Sequence, residues 1–248
     1  MPPKTSFEQF ATIWDDMTGE GQGAQAITMD KTFFSLLGKI KGKTIYEPAC
    51  GNGYLARQLM EKGAKEIWAS DVSETLIKRA QKKSKGITYL VRDASSIKGL
   101  PRDYFDAVII HNGIFYIKDL DTLFKGMYEL LKPGGVFIFN ALHPLFSLAR
   151  ASMQQKDRVP SVEKIAEYAR PYLTERFEKV DKIWTANGIK NEVYFWNYKR
   201  PISTYINACA KHHFSITAMR ELKTITKIGG KVKRSPIPSH YVIKAMKI

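Results

Sequence analysis

The sequence is poor in cysteine and in long apolar segments, and both shortages limit what the chain can be. It has two cysteines, Cys50 and Cys209. Two are too few for a disulfide framework or a metal cluster, so we expect reduced thiols and no bound metal. The longest apolar stretches, such as DAVII and GVFIFNAL, are much shorter than a membrane span, and the N-terminal MPPKTSFEQF lacks the apolar core of a signal peptide. We therefore expect a cytoplasmic protein with no membrane contact.

Acidic residues are scarce towards the end of the chain. The sequence contains 39 lysines and arginines against 24 aspartates and glutamates, a formal net charge of +15. Residues 1–50 carry 5 basic and 6 acidic side chains, whereas residues 201–248 carry 9 basic and 1 acidic. This distribution indicates either a solvated basic surface or a site for an anionic partner such as nucleic acid.

From Thr44 onwards the 248-residue chain alternates between strand-like and helix-like runs. The predicted strands are TIYEPA, EIWASD, ITYLVRD, FDAVIIHN, GVFIFNAL, FSITAMREL and YVIKAMKI. Strands with continuous apolar cores that alternate with helices predict a parallel sheet covered on both faces. We therefore predict an α/β, doubly wound, Rossmann-like fold of one domain over 1–248, with ligands bound at the carboxyl ends of the strands.

Two segments fall outside this alternation. Residues 144–200 predict an inserted cap, made of a helix in SVEKIAEYARPYL and a hairpin turning at Asn187-Gly188. Its aromatic residues are expected to form a small core or to line a pocket. They are Trp184, Tyr194, Phe195, Trp196 and Tyr198.

The N-terminal residues 1–40 predict a helical segment. Phe7, Phe10, Ile13 and Trp14 form an amphipathic stripe in FEQFATIWDDM. Such a helix either acts as a lid over the ligand site or packs permanently on the core.

The stretch EPACGNG, residues 47–53, joins the first strand to the first helix of the alternating region. Ala49, Gly51 and Gly53 are small residues at alternate positions, placed where free backbone N–H groups gather at a helix N-terminus. Asp71 follows Gly51 by 20 residues and ends the second strand, where a carboxylate can accept hydrogen bonds from ribose hydroxyls. Nicotinamide enzymes and methyl-transfer enzymes share this combination.

Three features favour methyl transfer over hydride transfer. Glu47 precedes the loop, where an acid repels a pyrophosphate but suits a ligand that carries an ammonium and a sulfonium. The third glycine of the dinucleotide fingerprint is absent, since Ala56 takes its position. Asp93-Ala94 closes the third strand with a carboxylate and an N–H that can bind an adenine ring.

Taken in order, EPACGNG, Asp71, Asp93-Ala94, FDAVIIHN and LKPGGVFIFN resemble the class I S-adenosylmethionine-dependent methyltransferases over about residues 40–142. The resemblance implies a seven-stranded, mostly parallel sheet whose last strand is antiparallel. It implies S-adenosyl-L-methionine as cofactor and S-adenosyl-L-homocysteine as product. Glu47 and Ala49 stand where the family more often has aspartate and glycine.

The same resemblance assigns each part of the cofactor to particular residues. It places Asp71 on the ribose, Val72 against the adenine, and Asp93-Ala94 at the adenine edge. The methionine part would be surrounded by Glu47, Ala49, Cys50, Gly51, Asn52, Gly53 and His111.

The acceptor is predicted to be a small molecule, anionic or aromatic, methylated on oxygen or nitrogen. Methyl transfer depends mainly on proximity and alignment, so a triad is not required. His143, His111 and Tyr116 are the candidates for a base at the rim of the sheet. Two alternatives fit the same motifs: a tRNA or other nucleic-acid methyltransferase, suggested by the basic stretch KTITKIGGKVKRSP, and a module that binds S-adenosylmethionine without catalysis.

Overall fold

The computed structural model describes residues 5–21, 24–145, 170–186, 189–228 and 231–248. The α-helices in these residues are α1 (Thr5–Thr18), α2 (Ala24–Leu37), α3 (Tyr54–Glu61), α4 (Glu74–Lys83), α5 (Leu120–Leu130) and α6 (Ile202–Lys211). The strands are β1 (Thr44–Pro48), β2 (Glu66–Asp71), β3 (Thr88–Val91), β4 (Phe105–Ile110), β5 (Leu131–Leu142), β6 (Arg176–Ala186), β7 (Ile189–Lys199), β8 (Phe214–Ile228) and β9 (Lys231–Lys247). No helix in this described part is both long and apolar enough to cross a membrane.

Seven of these strands form one sheet in the order β3-β2-β1-β4-β5-β9-β8. The first five lie parallel, and β9 runs antiparallel to both of its neighbours, β5 and β8. The predicted seven-stranded, mostly parallel Rossmann-like sheet with an antiparallel last strand is therefore confirmed.

Alternating side chains of each strand supply two cores, one on each face of the sheet. In β1, Ile45 points into the core beneath α2, α3 and α4, and the next residue, Tyr46, points into the core beneath α5 and α6. Both side chains are fully buried. Strands buried on both faces explain why the runs in the sequence are continuously apolar.

Short polar side chains cap the N-termini of α4 and α5. Ser73 accepts a hydrogen bond from the Leu76 amide at the start of α4. Asp119 accepts from the Thr122 amide in the same way at the start of α5. These caps fix the loops that leave β2 and β4 at the carboxyl edge of the sheet.

The structure differs from the sequence prediction at several strand ends. β3 ends at Val91, so Asp93 lies in the following turn. β5 begins at Leu131 rather than after the KPGG turn, and an irregular register beside Phe105 accommodates Gly134 with its φ of 74°. β8 continues through KTITKI to Ile228 and pairs there with β9, which begins at Lys231 rather than at Tyr241; the threonines and isoleucines of KTITKI favour a strand.

In the segment predicted to form a hairpin, β6 pairs antiparallel with β7, from Arg176–Lys199 to Ala186–Ile189. Its turn at Asn187-Gly188 lies outside the described residues, as does most of the predicted cap helix. Trp196 stacks on Phe177 with ring centroids 4.9 Å apart. The side chains of Trp184, Tyr194 and Phe195 are also outside the described set.

Candidate functional site

The glycine loop after β1 has an unusual backbone that its small residues permit. Ala49, Gly51 and Gly53 have φ angles of 57°, 58° and 72°, in the left-handed region. A Cβ atom on Gly53 would lie 2.6 Å from Tyr89 Oη, so no larger residue fits there. The loop is further fixed by the Cys50 amide, which donates to the Ser70 carbonyl at 2.9 Å. Its amides are thereby held at the N-terminus of α3.

Asp71 connects the end of β2 to this loop. One oxygen accepts the Gly51 amide at 2.8 Å, and the other accepts the Ser73 amide at 3.0 Å. The carboxylate is 8% exposed. Burial raises its pKa, and these amide hydrogen bonds oppose that rise without cancelling it. Each oxygen has one bond from the protein and retains a lone pair for a ligand hydroxyl.

Glu47 is buried at the end of β1 with one oxygen unsatisfied. Its Oε2 has no hydrogen-bond partner, and the residue is 2% exposed. Burial, followed by the nearby negative charge of Asp30, raises its pKa well above the ordinary range. An orphaned buried carboxylate fits a cationic ligand such as an ammonium group.

Asp30 and Tyr54 join Glu47 and His111 in one buried polar cluster. Tyr54 Oη lies 3.2 Å from both Asp30 Oδ1 and His111 Nδ1. His111 Nε2 lies 3.1 Å from Asp30 Oδ1, without hydrogen-bond alignment. Asp30 and Tyr54 were not among the predicted site residues, although the aspartate in the apolar helix sequence AQAITMDKTFFSLL could have indicated a buried polar site.

Helix α1 lies over the glycine loop. Asn52, which is fully buried, donates to Asp15 Oδ1 and to the Gly19 carbonyl, both at 2.7 Å. Trp14 Nε1 would be 3.5 Å from a Cβ on Gly51. At the other end of α1, Glu8 accepts hydrogen bonds from Ser73 and Thr75 at the start of α4. These contacts were not predicted.

The predicted adenine-side residues lie on the same edge of the sheet as Asp71. The Arg92 amide donates to the Asp71 carbonyl at 2.8 Å, which holds the turn after β3 against the end of β2. Within that turn Asp93 is exposed and accepts from the Ser95 amide at 2.9 Å. Ala94 is buried, and Val72 is half-buried.

Tyr116 lies in a 3-10 turn after β4 and contacts α1. Its ring is 4.9 Å from that of Phe7 and 6.3 Å from that of Trp14, both in edge-to-face geometry. Burial raises the pKa of the Tyr116 hydroxyl. Because such a phenol stays protonated at neutral pH, it can donate a hydrogen bond but not accept a proton readily.

His143 contacts Glu221 of β8 and Ser239 of β9. Its Nε2 lies 2.9 Å from Glu221 Oε1, and its Nδ1 accepts from the Leu145 amide at 3.2 Å. Assigned from these partners, the proton is on Nε2. Both ring nitrogens are therefore engaged, so a role as base requires the loss of one of these bonds.

The residues present fit S-adenosylmethionine in the chemistry of their donors and acceptors. The unpaired acid suits the ammonium, the carboxylate of Asp71 suits the ribose, and the tight glycine loop permits close approach. Among the residues that the structure describes, no group of three or more histidine, cysteine, aspartate or glutamate side chains is arranged to hold a metal ion.

Comparison with known proteins agrees with this geometry. Residues 46–139 match the family model described as a methyltransferase domain. The chain is 23% identical over 221 residues to an uncharacterized protein of Haemophilus influenzae, covering 86% of this chain and 84% of that protein. It is 29% identical over 163 residues to a malonyl-[acyl-carrier protein] O-methyltransferase of Hamiltonella defensa, covering 61% of this chain and 62% of that protein.

Among solved structures, an S-adenosylmethionine-dependent methyltransferase from Mesorhizobium loti has a similar fold. Its TM-score is 0.63 at 20% identity, over 92% of this chain and 100% of that one. The family match therefore shows a methyltransferase domain over residues 46–139, and the solved structure shows that the chain shares its fold.

Proposed function

We propose that the chain methylates an oxygen or nitrogen atom of a small-molecule acceptor. The observation that carries the proposal is the cover of α1 over the glycine loop, through Asp15–Asn52 and Trp14–Gly51. His111, which directly follows β4, is only 7% exposed. An acceptor must therefore bring its reacting atom into the interior, which suits a small molecule better than a folded polymer.

Specific residues would hold the cofactor under this proposal. Glu47 would bind the ammonium, and the Ala49–Gly53 loop and His111 would surround the methionine part. Asp71 would bind the ribose hydroxyls through its remaining lone pairs. Val72 would contact the adenine, and Asp93-Ala94 would bind the edge of the ring.

The chain itself would contribute to the reaction by aligning the acceptor with the cofactor and by excluding water from the site. S-adenosylmethionine, when bound, supplies a methyl group on a positively charged sulfur. The acceptor atom must lie in line with the carbon–sulfur bond, and α1 keeps water out of that line. Tyr54 orients His111 through Nδ1, so His111 is better placed than His143 to receive a proton. The predicted roles of His143 and Tyr116 as bases remain predictions.

Oxygen is the favoured methylated atom. The name of the Hamiltonella defensa relative specifies O-methylation of an acyl group. A carboxylate oxygen needs no base, because it attacks the methyl carbon directly while the carbon–sulfur electron pair remains on sulfur. This supports a site in which neither histidine has to act as a base.

Two experiments test the proposal. Mass spectrometry of the purified protein should detect S-adenosylmethionine or S-adenosylhomocysteine, and calorimetry should give micromolar affinity for both and none for NAD. Transfer of a radiolabelled methyl group should then be screened over a set of small metabolites and over total tRNA. Label in tRNA alone would contradict the small-molecule assignment.

Nucleic acid is the second candidate, and the shape of the C-terminal hairpin favours it. β8 runs parallel to β5, and Leu222 and Leu142 both pair with His240, so these two residues lie at the same level. Residues 223–228 of β8 and 231–238 of β9 therefore extend beyond the carboxyl edge of the sheet, where the glycine loop lies. We name this extension the basic arm. It carries five basic residues, Lys223, Lys227, Lys231, Lys233 and Arg234, and no acid.

A further inference from the structure

The hydroxyl group of Tyr241 is buried without a partner. Tyr241 lies on β9 opposite Ala141 of β5 and is 0% exposed. Its Oη has no hydrogen-bond donor or acceptor within reach among the described residues. An unpaired buried hydroxyl destabilises a fold, so phenylalanine would serve better if the side chain only filled space.

A second buried phenol lies beside it. Tyr205 of α6 is 2% exposed, and its ring centroid is 6.2 Å from that of Tyr241. The Arg200 guanidinium lies close to Tyr205 and opposes the rise in the pKa of its hydroxyl. Burial raises the pKa of Tyr205 to about 12 and that of Tyr241 further, so both phenols stay protonated at neutral pH and act as donors.

The acids near the phenols already have partners. Glu221 pairs with His143, whose ring is 6.1 Å from that of Tyr241. Glu175 accepts from Arg200 Nε at 2.6 Å. Among the described residues neither carboxylate accepts a hydrogen bond from the two phenols, and Arg200, which pairs with Glu175, is the cation next to Tyr205. The pair therefore offers two hydrogen-bond donors beside a cation, which is the chemistry that binds a carboxylate.

Tyr241 lies on the same edge of the sheet as the glycine loop. Tyr241 lies one residue before the level at which β5 ends, on the strand next to β5. The ends of β5 and β4 are joined by Asn140, whose Oδ1 accepts from the Asn112 backbone amide and whose Nδ2 donates to Asn112 Oδ1, both at 2.7 Å. Tyr241 and His111 thus lie at the same edge of the sheet, where a ligand of this fold binds.

We propose that Tyr205 and Tyr241 bind a carboxylate group of the methyl acceptor. The inference rests on the proposed function, and it narrows the acceptor from a small molecule to a small carboxylic acid. Both residues are positioning residues, because they hold the acceptor rather than exchange atoms with it.

The first measurement separates function from packing. Tyr241→Phe should leave the melting temperature unchanged or raise it, since no hydrogen bond is lost. The matched control is Tyr46→Phe, because Tyr46 is equally buried but its hydroxyl bonds to Ser70 Oγ at 2.7 Å. That variant should melt at a lower temperature. A clear loss of stability in Tyr241→Phe would show that the hydroxyl has a structural partner and would overturn the proposal.

The second measurement is binding to the protein saturated with S-adenosylhomocysteine. The probes are acetate, malonate and benzoate, each compared by calorimetry with its amide. We expect at least one acid to bind more tightly than its amide, and about tenfold more weakly to Tyr241→Phe and to Tyr205→Phe than to wild type. Tyr46→Phe should bind it like wild type.

The outcomes distinguish this proposal from the one on which it rests. Failure of wild type to bind S-adenosylhomocysteine contradicts the methyl-transfer site itself. Normal binding of S-adenosylhomocysteine, together with no acid preference or with equal affinity in the phenylalanine variants, overturns the carboxylate site alone.

Discussion

At the scale of single residues, the two acids nearest the glycine loop have opposite environments. Asp71 has an amide donor on each oxygen, whereas Glu47 leaves Oε2 without a partner. The Asp71 carboxylate therefore fixes the loop as well as forming part of the ligand site. The buried Glu47 side chain lowers the stability of the free protein and becomes favourable only when a cation binds. Substitutions of Asp71 and of Glu47 should therefore differ in their effects on stability.

Glu47→Gln should stabilise the free protein and weaken the complex. The pKa of Glu47 is raised in the folded protein, so the stability that its protonated form contributes is fully present below the ordinary pKa of 4.5. This contribution is lost as the pH rises through the pKa of Glu47 in the folded protein. The variant's advantage in stability should therefore grow as the pH rises above 4.5, and affinity for S-adenosylhomocysteine should fall about tenfold or more. Thermal melts across pH and calorimetry measure the two effects.

The control for that experiment is Glu61→Gln, which removes an exposed carboxylate from α3. It should change neither the pH dependence nor the affinity. Parallel stability curves for wild type and Glu47→Gln would contradict a buried, partnerless acid at this position.

Asp71→Asn should weaken S-adenosylhomocysteine binding by about 2–4 kcal/mol, because charge-assisted bonds to both ribose hydroxyls are lost. The amide nitrogen must also face one of the two backbone donors, so stability should fall as well. Asp106→Asn is the matched control, since Asp106 accepts the Thr44 amide at 2.8 Å at the other end of β1. That control should lose stability and keep its affinity, as measured by melting and calorimetry. Equal affinities for the two variants would remove Asp71 from the site.

At the scale of elements, the sequence predicted what depends on local pattern. The strands up to β5 follow from their continuous apolar runs, and the cap of α4 follows from Ser73. The cluster of Asp30 with His111 did not follow, since it brings together residues 81 positions apart whose contact depends on how α2 packs. The position of α1 was equally hidden, because an amphipathic helix can pack on any apolar surface.

The contacts of α1 predict release in acid. Burial raises the pKa of Asp15, but hydrogen bonds from Asn52, Arg79 and Lys83 outweigh it, so the pKa is lowered overall. The pKa values of Glu8 and Glu20 are also lowered, by partners on α4 and α3. A lowered carboxylate pKa contributes stability above the ordinary values of 3.8 and 4.5, and this stability is lost as pH falls through the folded values.

We therefore expect α1 to stay docked at pH 5 and to separate below about pH 4. The measurement is tryptophan fluorescence of wild type minus that of Trp14→Phe, which isolates the ring over the glycine loop. Asp15→Asn should move the transition to higher pH and should weaken S-adenosylhomocysteine binding if the helix closes the site. A difference signal that stays constant from pH 7 to pH 3 would mean that these acids do not hold α1 in place.

At the scale of the whole molecule, the basic arm and the candidate cofactor site lie at the same edge of the sheet. The basic arm extends beyond the carboxyl ends of the strands, and Lys223 at its base is exposed. The excess of basic residues was visible in the sequence, but its placement was not. The position of the basic residues follows from the direction and the length of β8. This strand ends at Ile228, whereas the sequence predicted its end at Leu222. A basic arm beside a buried site can recruit an anionic acceptor or can bind polyanions without any role in turnover.

The salt dependence of binding distinguishes these roles. Replacing the five basic residues of the arm with glutamine should weaken tRNA binding and flatten its dependence on salt, because each phosphate contact contributes about −0.9 to the slope of log affinity against log salt. The control neutralises five exposed lysines elsewhere, namely Lys39, Lys65, Lys82, Lys85 and Lys98. It has the same net charge, so only an effect of position can separate the two variants.

We expect methyl transfer to a small carboxylic acid to be nearly equal in both variants and in wild type, from about 50 mM to about 200 mM salt. Turnover that falls steeply with salt in wild type, and falls further only when the arm is neutralised, would instead make the arm part of acceptor recognition and would favour a polyanionic acceptor.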